Sequence, residues 1–81
     1  MKLYVISPLS KKTVDIAWIE LNTAAGNFVI QPGHAPTIMT LAANKEMTIC
    51  LTNGKQETYV IRQGIAEITR ENVTLILSEN L

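Results

Sequence analysis

Cysteine, histidine and aspartate each occur once in the chain, as Cys50, His34 and Asp15. With a single thiol there is no internal disulfide framework, and a secreted domain of 81 residues would ordinarily need one, so a reducing compartment is expected. One residue of each kind also leaves no metal-ligand spacing and no Ser-His-Asp set. The sequence therefore predicts no catalytic, cofactor-binding or metal-binding residue. Neither sign of charge is in excess, because seven Lys and Arg face seven Asp and Glu. The counter-ion release that drives binding to nucleic acid or anionic lipid has no source, so no nucleic-acid partner is expected. Long apolar runs are missing too. The first, Met1 to Ile6, stops at Ser7-Pro8, too short for a signal peptide and far below the ~20 residues of a membrane span. The expectation is a soluble intracellular chain, not inserted in a membrane, that keeps its N-terminus. No repeat or low-complexity segment is visible, and a chain this short buries only roughly 60–65% of its unfolded surface, which leaves little core for a deep active-site cavity.

What the chain does have is β-formers. Five valines, ten isoleucines and nine threonines supply 24 of the 81 residues, and their branched side chains pack best on a pleated sheet. The periodicity agrees. Val14, Ile16 and Trp18 alternate with Asp15 and Ala17; Met47, Ile49 and Leu51 with Thr48, Cys50 and Thr52; Tyr59 and Ile61 with Thr58, Val60 and Arg62. Ala66 and Ile68 flank Glu67, and Val73, Leu75 and Leu77 alternate with Thr74, Ile76 and Ser78. Turn signals separate these runs. Asn53-Gly54 predicts a two-residue hairpin turn with positive φ at both positions. Ser10-Lys11-Lys12, Ala25-Gly26-Asn27 and Arg70-Glu71-Asn72 predict further turns, and Gly64 a bulge or corner. One helical turn is predicted between Pro36 and Ala43. Short strands at this spacing, with more Leu, Ile and Val than one sheet face can hide, predict an all-β fold of two packed sheets, a flattened sandwich or barrel.

The most unusual stretch runs Gly26-Asn27-Phe28-Val29-Ile30-Gln31-Pro32-Gly33-His34-Ala35-Pro36. It reads as a strand ending in a rigid corner, since Pro32 fixes φ, Gly33 frees it and Pro36 biases Ala35 toward an extended backbone. Such a corner presents His34 and Asn27 with little ordering entropy to lose. Together with Ser7-Pro8 upstream and Gln63-Gly64-Ile65-Ala66-Glu67 and Asn72-Val73-Thr74-Leu75 downstream, the stretch resembles the N-terminal β-sandwich domain of the epsilon subunit of F-type ATP synthases. Members of that family typically read Gly-x-Phe/Leu-Gly-Ile-x-Pro-Gly-His-Ala-Pro, then Gly-Gly-Phe/Ile-x-Glu-Val, then Asn-x-Val-Thr-Val-Leu. This chain departs at Val29, where glycine is usual, and at Gln63, where the family has the first of two glycines. The resemblance runs from about Lys2 to Ser78, nearly the whole chain.

The resemblance implies a ten-stranded sandwich, one epsilon-type domain over residues 1–81. It further implies a non-catalytic rotor component of the central stalk that couples the gamma subunit to the membrane c-ring during proton- or ion-driven ATP synthesis. The protein would sit peripherally on the cytoplasmic side of the inner or plasma membrane as part of the complex. Asn27, with Ala25, Phe28 and Gln31 nearby, takes the positions that face the polar loops of the c-ring, and Ser7 and His34 take positions near the surface that meets gamma. Many relatives carry an acid where this chain has Asn27. Typical members continue as a helical hairpin that inhibits ATP hydrolysis; the chain ends at Leu81 without one, and neither inhibition nor nucleotide binding is carried over.

Other readings of the same residues are plainer. His34 takes a structural or interface role and Cys50 a half-buried apolar one. Trp18 and Tyr59 are core filler or interface anchors, and Lys11-Lys12 is a solvated hairpin tip. A free-standing sandwich that forms homo-oligomers is the alternative function, and some self-association of the isolated chain is expected because an absent partner would leave apolar surface bare. A biotinyl or lipoyl carrier is a third possibility by size, but Lys55 lacks the flanking residues that such carriers present.

Overall fold

The computed structural model describes residues 1–81 as eight strands and no α-helix. These are β1 (Lys2–Ser7), β2 (Ser10–Thr23), β3 (Gly26–Ile30), β4 (Thr37–Thr40), β5 (Lys45–Leu51), β6 (Gln56–Ile61), β7 (Gly64–Ile68) and β8 (Asn72–Leu77). The all-β sandwich forms as expected, with eight strands rather than ten. One strand does double duty: β2 runs unbroken for 14 residues and belongs to both sheets.

The first sheet has the order β4-β7-β8-β1-β2, with β1 and β8 parallel and every other pair antiparallel. The second sheet grows from the far half of β2, which pairs with β3 on one edge and β5 on the other, and β6 lies beyond β5. The two sheets meet again at the end of β4. There Thr23 bridges Leu41, Ala24 donates its N–H to the Thr40 carbonyl at 3.2 Å and Ala42 donates to the Asn22 carbonyl at 2.9 Å.

Between the sheets lies a single apolar cluster that includes Leu3, Ile19, Leu21, Ile30, Ile49, Ala66, Val73 and Leu75. Each large aliphatic side chain removed from water there contributes about 1.5–3 kcal/mol. The alternation read in β5 to β8 places Met47, Ile49, Ile61, Ala66, Ile68, Val73, Leu75 and Leu77 inward as predicted. In β2 it does not hold. Ile16 pairs with Leu51 and Trp18 with Cys50, so Ala17 is an extra residue on β2, and this bulge turns Ile19, Leu21 and Thr23 inward instead of Trp18. Trp18 sits half-buried on the outer face, opposite Cys50. Cys50 is itself buried, its thiol donating to the Leu51 carbonyl at 3.6 Å.

Three further expectations are corrected. Residues 37–40 are strand β4, not a helical turn. One turn of helix would leave most backbone groups unpaired, whereas the β7 ladder satisfies alternate ones. At Asn53-Gly54 only Gly54 takes a positive φ, 90°. Its N–H bonds the Leu51 carbonyl at 2.9 Å, Leu51 bonds the Lys55 carbonyl at 2.8 Å, and Asn53 Oδ1 accepts from the Lys55 N–H at 2.9 Å, so the loop is one residue longer than a two-residue turn. The first turn centres on Pro8-Leu9, and Lys11 and Lys12 are already in β2, opposite Ile6 and Val5. Gly64 follows the bend at Arg62-Gln63 and opens β7 where the backbone approaches β8 closely. A Cβ there would stand 2.7 Å from Leu77 Cδ2 and 2.8 Å from the Ile76 carbonyl oxygen. No helix is long and apolar enough to cross a membrane.

Candidate partner interface

Thr23 organises the tip that carries the first predicted site residues. Its buried hydroxyl donates to the Gly26 carbonyl at 2.9 Å and accepts from the Ala25 N–H at 3.1 Å, which shapes the two-residue link from β2 to β3. Beyond it Phe28 points inward and Asn27 outward. The Asn27 amide donates to Asn22 Oδ1 at 3.0 Å, and Asn22 donates in turn to the Glu46 carbonyl at 2.8 Å. A short amide chain thus runs from β3 over β2 to β5 on the outer face of the second sheet, and it leaves the Asn27 carbonyl oxygen as an acceptor.

The corner that follows is built as its residues require. The His34 N–H bonds the Gln31 carbonyl at 3.2 Å across Pro32 and Gly33, and Gly33 has φ 88°, the type II arrangement that a side chain would strain. The Gly33 N–H donates to the Arg70 carbonyl at 2.7 Å, pinning the corner to the β7–β8 turn. His34 Nδ1 lies 2.8 Å from the Ala35 carbonyl. A carbonyl only accepts, so Nδ1 carries the hydrogen, and in the neutral ring Nε2 is the acceptor.

The chain from β3 through this corner to β4 forms an arch, and β3 and β4 do not pair. Under the arch is a groove of about 490 Å³ lined by residues 23–25, Phe28 and residues 34–40. It brings Ala25, Phe28 and His34 together, and none of its lining side chains is a carboxylate, lysine or arginine. Asn27 and Gln31 are exposed outside it. Ser7 is remote. It lies at the β1–β2 turn, where its hydroxyl is 2.8 Å from Ser10 Oγ, so its visible role is closing that turn. Ser7 and His34 therefore occupy opposite corners of the first sheet.

From the Ser7 end a row runs across the first sheet that a linear reading did not locate. Ladder register sets Thr40, Ile65, Ile76, Ile6 and Lys11 side by side across β4, β7, β8, β1 and β2, all on the outward face. Ile65 and Ile76 are 40% and 45% exposed, and Ile38 in the next row is 68% exposed. An open hollow of about 540 Å³ borders the row over Gly64 and Leu77. The outward face of the second sheet carries Asn27, Asn22, Glu20, Glu46, Thr48 and Thr58 instead, with a 3.0 Å bond between the two threonine hydroxyls.

Two sites outside the groove have perturbed titration. Lys2 and Asp15 form a 2.8 Å ion pair that holds the ammonium above and the carboxyl below their ordinary values, chiefly through the hydrogen bond itself. Burial, then the 3.1 Å bond to Glu57, pushes the Tyr59 hydroxyl up. No three His, Cys, Asp or Glu side chains converge.

The family model of the ATP synthase delta/epsilon chain β-sandwich domain matches residues 1–80. The ATP synthase epsilon chain of Paracoccus denitrificans (strain Pd 1222) is 31% identical over 77 residues, which cover 94% of this chain and 51% of the relative. A chain of the Euglena gracilis mitochondrial ATP synthase, in the OSCP/F1/c-ring assembly, superposes with a TM-score of 0.88 at 24% identity over 98% of this chain and 51% of that one. A chain of the Tetrahymena thermophila mitochondrial ATP synthase central stalk/c-ring does so with a TM-score of 0.82 at 13% identity, over 98% and 63%. The two structures show the fold. The chain spans about half the length of the curated relative that it matches.

Proposed function

Because the chain belongs to the ATP synthase delta/epsilon chain β-sandwich family, we propose that it is a non-catalytic subunit of the central stalk of an F-type ATP synthase. In this reading it couples gamma to the c-ring while other subunits make and break bonds. The observation that carries the reading is the family match over residues 1–80, supported by the contiguous row of Ile65, Ile76 and Ile6 on the outward face of the first sheet. The isoleucine row is the gamma-facing surface. It starts beside Ser7 and reaches β4 at Thr40; His34 lies beyond the other end of β4, so a footprint that includes both residues runs diagonally across the first sheet by way of Ile38. Asn27 and the 24–25 tip, with Phe28 and Gln31 beside them, face the polar loops of the ring, where the free Asn27 carbonyl accepts from a basic side chain. The protein then lies peripherally on the cytoplasmic side of the coupling membrane.

The mechanism is mechanical. Two sheets that share one close-packed core and one continuous strand, β2, resist shear, so torque entering at the tip passes to the isoleucine face with little loss to internal deformation. Purification of tagged chain from native membranes tests the proposal: gamma and the ring co-purify in stoichiometric amounts. A homo-oligomer recovered with neither would overturn it in favour of a self-assembling module.

A further inference from the structure

We propose that the free edge of β4 takes up an extended, uncharged segment of the stalk partner as an added β-strand lying in the groove under the arch. The backbone makes the argument. The Leu41 N–H bonds the Gly64 carbonyl at 2.9 Å, and the Thr69 N–H bonds the Asn72 carbonyl at 2.9 Å, which together fix the ladder parity of β7. Thr37 and Met39 direct their backbone groups at β7, while Ile38 and Thr40 direct theirs the opposite way. The Thr40 carbonyl is used there by Ala24 at 3.2 Å. The Ile38 N–H and carbonyl and the Thr40 N–H pair with no backbone group of this chain. They stand at strand spacing on the wall of the 490 Å³ groove, and donors and acceptors in that arrangement are complemented by another extended chain.

The surroundings define the occupant. Exposed strand edges are normally blunted by a charge, a proline or a bulge. Thr37-Ile38-Met39-Thr40 has none of these within it, and Pro36 stands just before its first residue. The edge of β6 has Glu57 within it and Arg62 just beyond. With no ionised carboxylate or Lys/Arg lining the groove, a charged segment would lose its hydration with no counter-charge in return, whereas small, hydroxyl or apolar side chains are accommodated beside Phe28 and Met39. The edge is also continuous with the isoleucine row, because Thr40 pairs with Ile65. The inference rests on the stalk reading above and names gamma as the source of the segment.

Amide hydrogen exchange on this chain, alone and co-purified with co-expressed gamma, tests it. The expected result is that the Ile38 and Thr40 amides, fast in the isolated chain, slow at least tenfold in the complex, while Val60 on the β6 edge is unchanged. Ile38→Pro removes the outward N–H and spares the ladder to β7, so gamma retention falls tenfold or more; Ile38→Thr keeps the N–H and stays within about threefold. Unchanged Ile38 and Thr40 exchange in a complex that does form overturns strand addition alone, as does an equal loss for both variants. If Ile38→Pro does not fold, the wild-type exchange decides. Failure of gamma to co-purify overturns the stalk reading and the strand addition with it.

Discussion

The two outward faces of the sandwich rest on the same alternating backbone and differ in what that alternation presents. On the first sheet, neighbouring strands bring Ile65, Ile76 and Ile6 into one unbroken row, with Ile38 close by. On the second, the exposed valines are kept apart, Val29 beside Glu20 and Val60 beside Glu46, and Trp18 packs half-buried over Cys50 among amide and hydroxyl groups. A scattered apolar residue on a surface is ordinary, but a contiguous row is a surface built to be covered. The other face satisfies much of its polarity within itself, through Asn27, Asn22, Thr48 and Thr58, and leaves Asn27 Oδ1 as an open acceptor.

That contrast can be broken from either side. The largest effect is expected on the apolar face: Ile65→Asp with Ile76→Asp lowers gamma affinity about a hundredfold or more, by analogy with buried interface anchors, and suppresses self-association of the isolated chain. Stability changes little because both side chains are already partly in water. Titration calorimetry and analytical ultracentrifugation read the two results; the same paired substitution at Thr48 and Thr58 leaves gamma binding alone. Next is Gly64→Ala, which costs about 1–3 kcal/mol because the new methyl meets the Ile76 carbonyl and Leu77, as denaturant unfolding will show. On the polar face, Asn27→Lys breaks the bond to Asn22 and places a cation toward the ring, weakening ring retention by about 0.5–1.5 kcal/mol; unchanged co-purification of the ring removes Asn27 from the interface.

The smallest effect lies at the rim of the first sheet. In the Lys2–Asp15 pair the carboxyl is held below its ordinary value of 3.8, so its stabilisation is present above that pH and lost as pH falls through the lowered value. The ammonium is held above 10.5, so its share is present below that pH and lost as pH rises further. Wild type therefore exceeds Lys2→Met slightly in thermal stability across the neutral range, and the difference closes at both extremes. A difference independent of pH would assign the effect to something other than the ion pair.

Much of the inward-facing pattern was legible because period-two alternation is a local property, so Val73, Leu75 and Leu77 read as core from six residues of sequence. The corner at Pro32-Gly33 was legible for the same reason, since ring constraint and positive φ belong to single residues. Trp18 was misplaced because a bulge is set by the partner strand, and nothing in Ile16-Ala17-Trp18 announces which residue β5 skips. Pro36 to Ala43 reads as holding a helical turn because Ile38, Met39, Leu41 and Ala42 fall near helical spacing, and the β7 edge decides instead for a strand over 37–40. Thr37, Met39 and Thr40 were missed as groove residues because their place depends on a strand almost thirty residues downstream.

By itself, then, the sequence determined an all-β domain with a single thiol and no excess charge, its corner at Pro32-Gly33, most of its core and its family likeness. Each of these follows from composition or from neighbours along the chain. Tertiary structure alone decided that Ala25, Phe28 and His34 share a groove while Ser7 stands apart, that four separate isoleucines gather on one face, and that β4 keeps an open edge. The physical reason is that register between strands distant in sequence is chosen by the whole core at once, and a surface is made of residues that the chain itself does not place side by side.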